Sequence, residues 1–188
     1  MHKRLVILHG YTASPDSHWF PWLREVFAPL GVQVTIPELP ESQAPQPDAW
    51  IAAAEAAIGT PDEDLVILGH SLGCITALHA LARLDGPWRL GGLVMVSGFD
   101  AFLETLPELA EFTEQLPEFA PIAATTVHRT VITAADDDIV PAVASRTLAE
   151  HLDAELVQLP SGGHFLDRDG HLTLPAAREA IAQALRLA

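Results

Sequence analysis

Leu65-Val66-Ile67-Leu68-Gly69-His70-Ser71-Leu72-Gly73 decides the reading of this chain. Four apolar residues without polar alternation run straight into Gly-x-Ser-x-Gly, and a helix-like pattern follows. That order is the signature of a serine at a sharp strand-to-helix turn, its hydroxyl exposed above the end of a sheet. The two glycines suit a tight turn and a helix packed close to neighbouring strands. A helix starting at the serine aims free N–H groups at whatever the oxygen attacks. A plain helix N-cap at Ser71 is the bland alternative, and it explains neither glycine.

On either side of this motif, short apolar runs alternate with longer helical patterns. The runs predict strands at Leu5–Leu8, Val32–Ile36, Leu65–Leu68, Leu93–Val96, His128–Thr133 and Glu155–Leu159. Their weak alternation suits parallel strands buried on both faces. Helices are expected over Trp19–Leu30, Asp48–Ile58, Leu72–Leu84, Val143–Leu152 and Leu174–Leu187, the last preceded by Thr173 and carrying Pro175. Six β-α repeats predict an α/β fold: a doubly wound, six-stranded parallel sheet inside a three-layer α/β/α sandwich. Neither a linker nor an internal repeat divides residues 1–188, so one domain is expected.

Two stretches interrupt the alternation. Pro37–Pro47 holds four prolines and reads as a loop at the carboxyl edge of the sheet. Residues 99–126 carry Asp100, Glu104, Glu108, Glu111, Glu114 and Glu118 with no Lys or Arg. Leu103, Leu106, Leu109, Phe112, Leu116 and Phe119 recur there at helical spacing. One or two short amphipathic helices are expected, either packed on the core with a solvated face or forming a small lid over the site.

The formal net charge of −15 disfavours a binder of nucleic-acid backbones. One cysteine, Cys74, precludes an internal disulfide and reads as a small buried hydrophobe. The first apolar run, Leu5–Leu8, is too short for a signal sequence, and no run reaches the ~20 residues needed to span a bilayer. A cytoplasmic protein that avoids membranes is the expectation.

A serine hydroxyl needs a base within hydrogen-bond reach and a third group to orient that base. In folds with this serine turn the partners follow in the order Ser, acid, His. The fifth predicted strand ends in Asp136-Asp137-Asp138-Ile139-Val140-Pro141, and the sixth is followed by Gly162-Gly163-His164-Phe165. Open α/β sheets place ligands at these carboxyl ends. His164 in isolation could be a surface histidine. The three aspartates could be a solvated turn, and a metal site would need further ligands that no His pair at ligand spacing provides. No metal and no cofactor is expected.

Gly69-His70-Ser71-Leu72-Gly73, Asp137-x-x-Val140-Pro141 and Gly163-His164-Phe165 resemble the α/β-hydrolase superfamily. Within it, His9-Gly10-Tyr11, Ala13-Ser14 and His18-Trp19-Phe20-Pro21-Trp22-Leu23 resemble the small YdeN-like hydrolases, relatives of retinoblastoma-binding protein 9. The resemblance covers essentially the whole chain. It implies Asp137 as the acid, four residues before the proline of its turn; where members often carry proline after the acid, this chain has Asp138. It also implies that the first strand neighbours the nucleophile strand. The backbone N–H groups of Leu72 and Tyr11 would then form the oxyanion hole, with Gly10 permitting close approach.

Gly10, Tyr11, His18 and Trp19 are candidates to line an acyl or leaving-group pocket. Trp19 and Trp22, three apart, can instead be core, which is the better reading for Trp22. His18 is either a pocket wall or a structural hydrogen-bonder, and His70 is expected to pack beneath the turn. Two functions follow. One is a serine hydrolase of a small ester or related acyl substrate, acting through Ser71, Asp137 and His164 and an acyl-enzyme, with amidase or peptidase activity open. The other is a binding protein on a hydrolase scaffold that docks a protein partner through the acidic insertion.

Overall fold

The computed structural model describes residues 2–187. Six strands form one sheet: β1 (Arg4–Leu8), β2 (Gln33–Thr35), β3 (Leu65–His70), β4 (Leu90–Val96), β5 (Thr126–Ala134) and β6 (Glu155–Leu159). The helices are α1 (Phe20–Phe27), α2 (Pro47–Ile58), α3 (Leu72–Ala82), α4 (Phe119–Thr125), α5 (Ala142–His151) and α6 (Pro175–Ala184). The strand order is β2-β1-β3-β4-β5-β6 and every pairing is parallel. The α/β expectation therefore holds, and β1 does neighbour the serine strand, with Leu8 opposite Gly69.

The period of two along each strand sorts the core into two layers. Leu5, Ile7, Val66, Leu68, Val94 and Val96 face α1 and α6, where Phe20, Leu23, Phe27, Ala177 and Ile181 cover them. Val6, Leu8, Leu65, Ile67, Leu93 and Met95 face the opposite way, under Trp50, Ile51, Ile75, Leu78 and Leu148. All six residues of β3 are buried, which explains a run without polar alternation.

Several boundaries differ from expectation. Strand β4 begins at Leu90 rather than Leu93, because Gly91 and Gly92 carry no apolar signal yet are required. A Cβ on Gly91 would meet the Glu63 carbonyl oxygen at 2.3 Å, and one on Gly92 the Ala184 Cβ at 2.5 Å. Helix α1 stops at Phe27, and Ala28–Leu30 closes as a 3₁₀ turn, since Pro29 has no N–H to continue it. The sheet-edge strand β2 is only three residues long.

Between β4 and β5 lie a 3₁₀ turn, Pro107–Phe112, and α4. Within this segment Leu103, Leu109, Phe112 and Ile122 join the core under α3, while Phe102 and Leu116 are exposed. The segment is fastened by His79 Nε2, hydrogen-bonded to the Phe112 carbonyl at 2.9 Å, and by Thr105, whose hydroxyl donates to the Ile139 carbonyl at 2.6 Å. Among the described residues, no helix is long and apolar enough to cross a membrane.

Candidate active site

Ser71 joins the end of β3 to the start of α3 with φ 54° and ψ −121°. A side chain adopts that region only when its surroundings impose it. The surroundings here are backbone. A Cβ on Gly69 would lie 2.7 Å from Cys74 Cα, and one on Gly73 would lie 2.2 Å from the Leu8 carbonyl oxygen. Helix α3 is therefore pressed against β1 and β3, and the chain can enter it only through a sharp elbow. The Ser71 N–H is held by the Val96 carbonyl at 2.9 Å. Its side chain makes no capping bond to α3, so the plain N-cap reading does not apply.

The loop after β1 runs past this elbow. A Cβ on Gly10 would sit 3.0 Å from Ser71 Cβ and 3.6 Å from Ser71 Oγ, so glycine is what lets the two backbones meet. Tyr11 N and Leu72 N, the expected oxyanion donors, donate to no partner among the described residues. His9, which sequence reasoning passed over, fixes this loop. Its Nε2 accepts the Leu39 N–H at 3.0 Å, so its proton is on Nδ1, which donates to the Gly10 carbonyl at 2.9 Å. The same His9 bond anchors the proline-rich loop, whose Pro40 carbonyl accepts from Trp50 Nε1 at 2.7 Å.

His164 and Asp137 meet directly. Nδ1 of His164 lies 2.8 Å from Asp137 Oδ2, with side-chain exposures of 5% and 0%. Asp137 Oδ1 accepts the N–H groups of Ile139 and Val140 at 3.0 and 2.9 Å, which fixes the carboxylate in its turn. Nδ1–H is thus committed to the aspartate, and Nε2 of His164 is left as the basic nitrogen. Of the other aspartates, Asp138 is exposed, while Asp136 accepts the Gly163 N–H at 2.9 Å and so ties down the loop before the histidine. Among the described residues no group of three or more His, Cys, Asp or Glu side chains is placed to hold a metal.

His70, directly before the serine, reaches the histidine loop. Its Nε2 lies 3.0 Å from the His164 carbonyl oxygen, and the two rings lie 5.0 Å apart. Burial pushes the His70 pKa well below the ordinary imidazole range, reinforced by neighbouring His164 and His18. Ser71 and His164 form no hydrogen bond to each other among the described residues; such bonds commonly tighten only when substrate arrives.

The pocket expectation needs correction at Trp19. It is fully buried, and its indole N–H donates to the Phe165 carbonyl at 3.1 Å, so it is a structural bolt and lines no open pocket. Trp22, read as core, is partly buried against the α1 layer. His18 is half-buried and hydrogen-bonded: its Nδ1 accepts the Asp167 N–H at 3.1 Å, and its own N–H donates to Asp167 Oδ2 at 3.1 Å. Nδ1 also lies 3.4 Å from Asp167 Oδ1, an ion pair only for a protonated ring. Burial holds the His18 pKa down despite Asp167, so the neutral, accepting form governs. Tyr11 stays partly exposed beside the elbow. A cavity of about 580 Å³ lies elsewhere, lined by Gln46, Asp48, His79, Arg83 and Glu111.

A family model described as serine hydrolase matches residues 5–183. The YdeN protein of Bacillus subtilis is 38% identical over 181 residues, covering 96% of this chain and 95% of that protein. The serine hydrolase RBBP9 of Rattus norvegicus is 25% identical over 169 residues, covering 89% and 88%. The crystal structure of the B. subtilis ydeN gene product superposes with a TM-score of 0.94 at 37% identity, over 98% of this chain and 99% of that one.

Proposed function

The chain belongs to the serine hydrolase family, with an α/β-hydrolase fold, and from that premise we propose that Ser71, His164 and Asp137 are its nucleophile, base and acid. The observation that carries this reading is the buried His164–Asp137 pair, on a loop bonded to His70, the residue directly before a serine whose backbone is forced into a left-handed elbow.

In this account Ser71 Oγ attacks the carbonyl carbon of an ester while His164 Nε2 takes its proton. Asp137 keeps the imidazole in the tautomer that presents Nε2 and steadies the cation that forms. The Leu72 and Tyr11 N–H groups receive the developing oxyanion, a contribution worth about 10²–10³ in rate per donor. Collapse expels the alcohol with the proton from His164. Water, deprotonated by the same nitrogen, then cleaves the acyl-enzyme and releases the acid.

A groove of about 410 Å³ lies at the start of α5, walled by Phe102, Leu103, Pro141, Val143 and Ala144 together with Asp100 and Glu104. Phe102 and Val143 are each 57% exposed. Neither Ser71 nor His164 lines this groove; small or short-acyl esters are the proposed substrates. In the alternative reading a protein partner would dock on the insertion's exposed Phe102 and Leu116, since Phe112 is buried against α3.

The test compares wild type with Ser71→Ala on p-nitrophenyl acetate. A loss of at least about 10⁴-fold in kcat is expected, because triad members fail as a unit. Equal rates would contradict the mechanism. A panel of esters and amides of graded acyl length then defines the leaving group and the pocket.

A further inference from the structure

The His18-Trp19 segment is not part of the proposed triad or oxyanion hole, yet it grips the loop that carries His164. That loop needs gripping. Gly162, Gly163 and Phe165 have φ values of 150°, 52° and 56°, and for Phe165, with a Cβ, the left-handed conformation must be imposed. Successive groups along it are held from β3 and the start of α1. The His164 carbonyl accepts from His70 Nε2 at 3.0 Å, and the Phe165 carbonyl from Trp19 Nε1 at 3.1 Å. The Asp167 main-chain N–H donates to His18 Nδ1 at 3.1 Å, and the Asp167 carboxylate accepts the His18 main-chain N–H in return. Trp19 and His70 are buried, whereas the His18–Asp167 exchange lies at the rim.

We propose that His18 is a positioning residue: by accepting the Asp167 N–H on Nδ1 it fixes the chain three residues past His164 and so holds that imidazole in register with Ser71. This rests on reading Ser71 and His164 as nucleophile and base. The bond requires a neutral ring. Burial favours that form; Asp167 opposes it, and His164 and Arg168 support it. The His70 ring meets His18 edge-on at 5.3 Å, and Phe20 meets it at 5.5 Å.

Asparagine is the conservative replacement. Its amide oxygen can stand where Nδ1 stands, and it tolerates the φ of 57° that His18 adopts. Glycine tolerates that φ and has no acceptor. Asp167→Pro removes the donor from the other side; position 167 opens a short 3₁₀ turn after an extended residue, where proline fits. Kinetics on p-nitrophenyl acetate and amide hydrogen exchange over residues 163–168 are measured for all three variants.

His18→Gly and Asp167→Pro are expected to lose about 10–10² in kcat with KM within about twofold, and to exchange faster across 163–168. His18→Asn is expected to match wild type in both. An unchanged His18→Gly overturns the proposal. So does a His18→Asn that raises KM while sparing kcat, which would make His18 a substrate contact. Should one variant fail to fold, the other with His18→Asn still decides. If wild type itself does not turn over the ester, the hydrolase reading fails, and the exchange comparison alone decides whether His18 holds the loop.

Discussion

His70 Nε2 donates to the main-chain carbonyl of His164 across 3.0 Å, so the residue before the proposed nucleophile grips the residue proposed to activate it. The acceptor is a carbonyl, which places the ring proton on Nε2 and leaves Nδ1 as a buried nitrogen with no partner among the described residues.

That bare nitrogen makes stability depend on pH. Burial holds the folded-state pKa of His70 well below the ordinary value near 6.5, and those of His9 and His18 are lowered by the same cause. Below about pH 6.5 the unfolded chain takes up protons that the folded chain refuses. Stability is therefore fully present above that pH and declines as pH falls toward the folded-state values, by up to about 1.4 kcal/mol per pH unit per histidine. Urea midpoints between pH 7.5 and 5.5 should fall accordingly, and His70→Gln should flatten the slope. An identical slope in His70→Gln would show that His70 is not held neutral.

The aspartate run gives three distinguishable variants. Asp137→Asn leaves the turn's shape but offers His164 the wrong tautomer, and a loss of about 10⁴ in kcat is expected. Asp138→Asn, exposed and unbonded to the loop, should stay within about twofold of wild type. Asp136→Ala frees the Gly163 N–H and should cost about tenfold through misplacement of His164. Steady-state kinetics on one ester separate them, and a large loss in Asp138→Asn would reassign the acid.

Two glycines should fail differently. Gly73→Ala drives a Cβ into the Leu8 carbonyl at 2.2 Å, a clash with backbone that cannot move aside. A destabilisation of at least about 1–3 kcal/mol is expected in thermal melts. Gly10→Ala meets Ser71 Cβ at 3.0 Å and the His70 carbonyl at 3.1 Å, contacts that a small shift relieves. It should melt near wild type while losing activity, because the shift occurs at the elbow. A Gly10→Ala enzyme with full activity would remove the oxyanion loop from the account.

The elbow was legible in the sequence because its constraint is local: strand, glycine, serine, glycine and helix lie within one short window. The strands were legible because burial on both faces of a parallel sheet leaves uninterrupted apolar runs. Gly91 and Gly92 hid the start of β4, since a residue chosen for lack of a side chain gives no hydrophobic signal. Trp19 stayed open between pocket and core because its partner, the Phe165 carbonyl, lies 146 residues away. Neither composition nor spacing encodes such a bond. The roles of His9, His70, Asp136 and Asp167 were hidden for the same reason: each bonds main-chain groups brought near only by the fold. Adjacency to the loop and elbow motifs was the one available hint for His9 and His70.

The central claim is that Ser71 is an activated nucleophile, and reaction with a fluorophosphonate probe tests it most directly. Intact-mass and peptide analysis should show one adduct, on Ser71, in wild type. Labelling should vanish in Ser71→Ala and slow sharply in a His164→Ala variant that still folds. A wild-type protein that stays unlabelled, or one labelled at another residue while Ser71→Ala retains the adduct, would contradict the account.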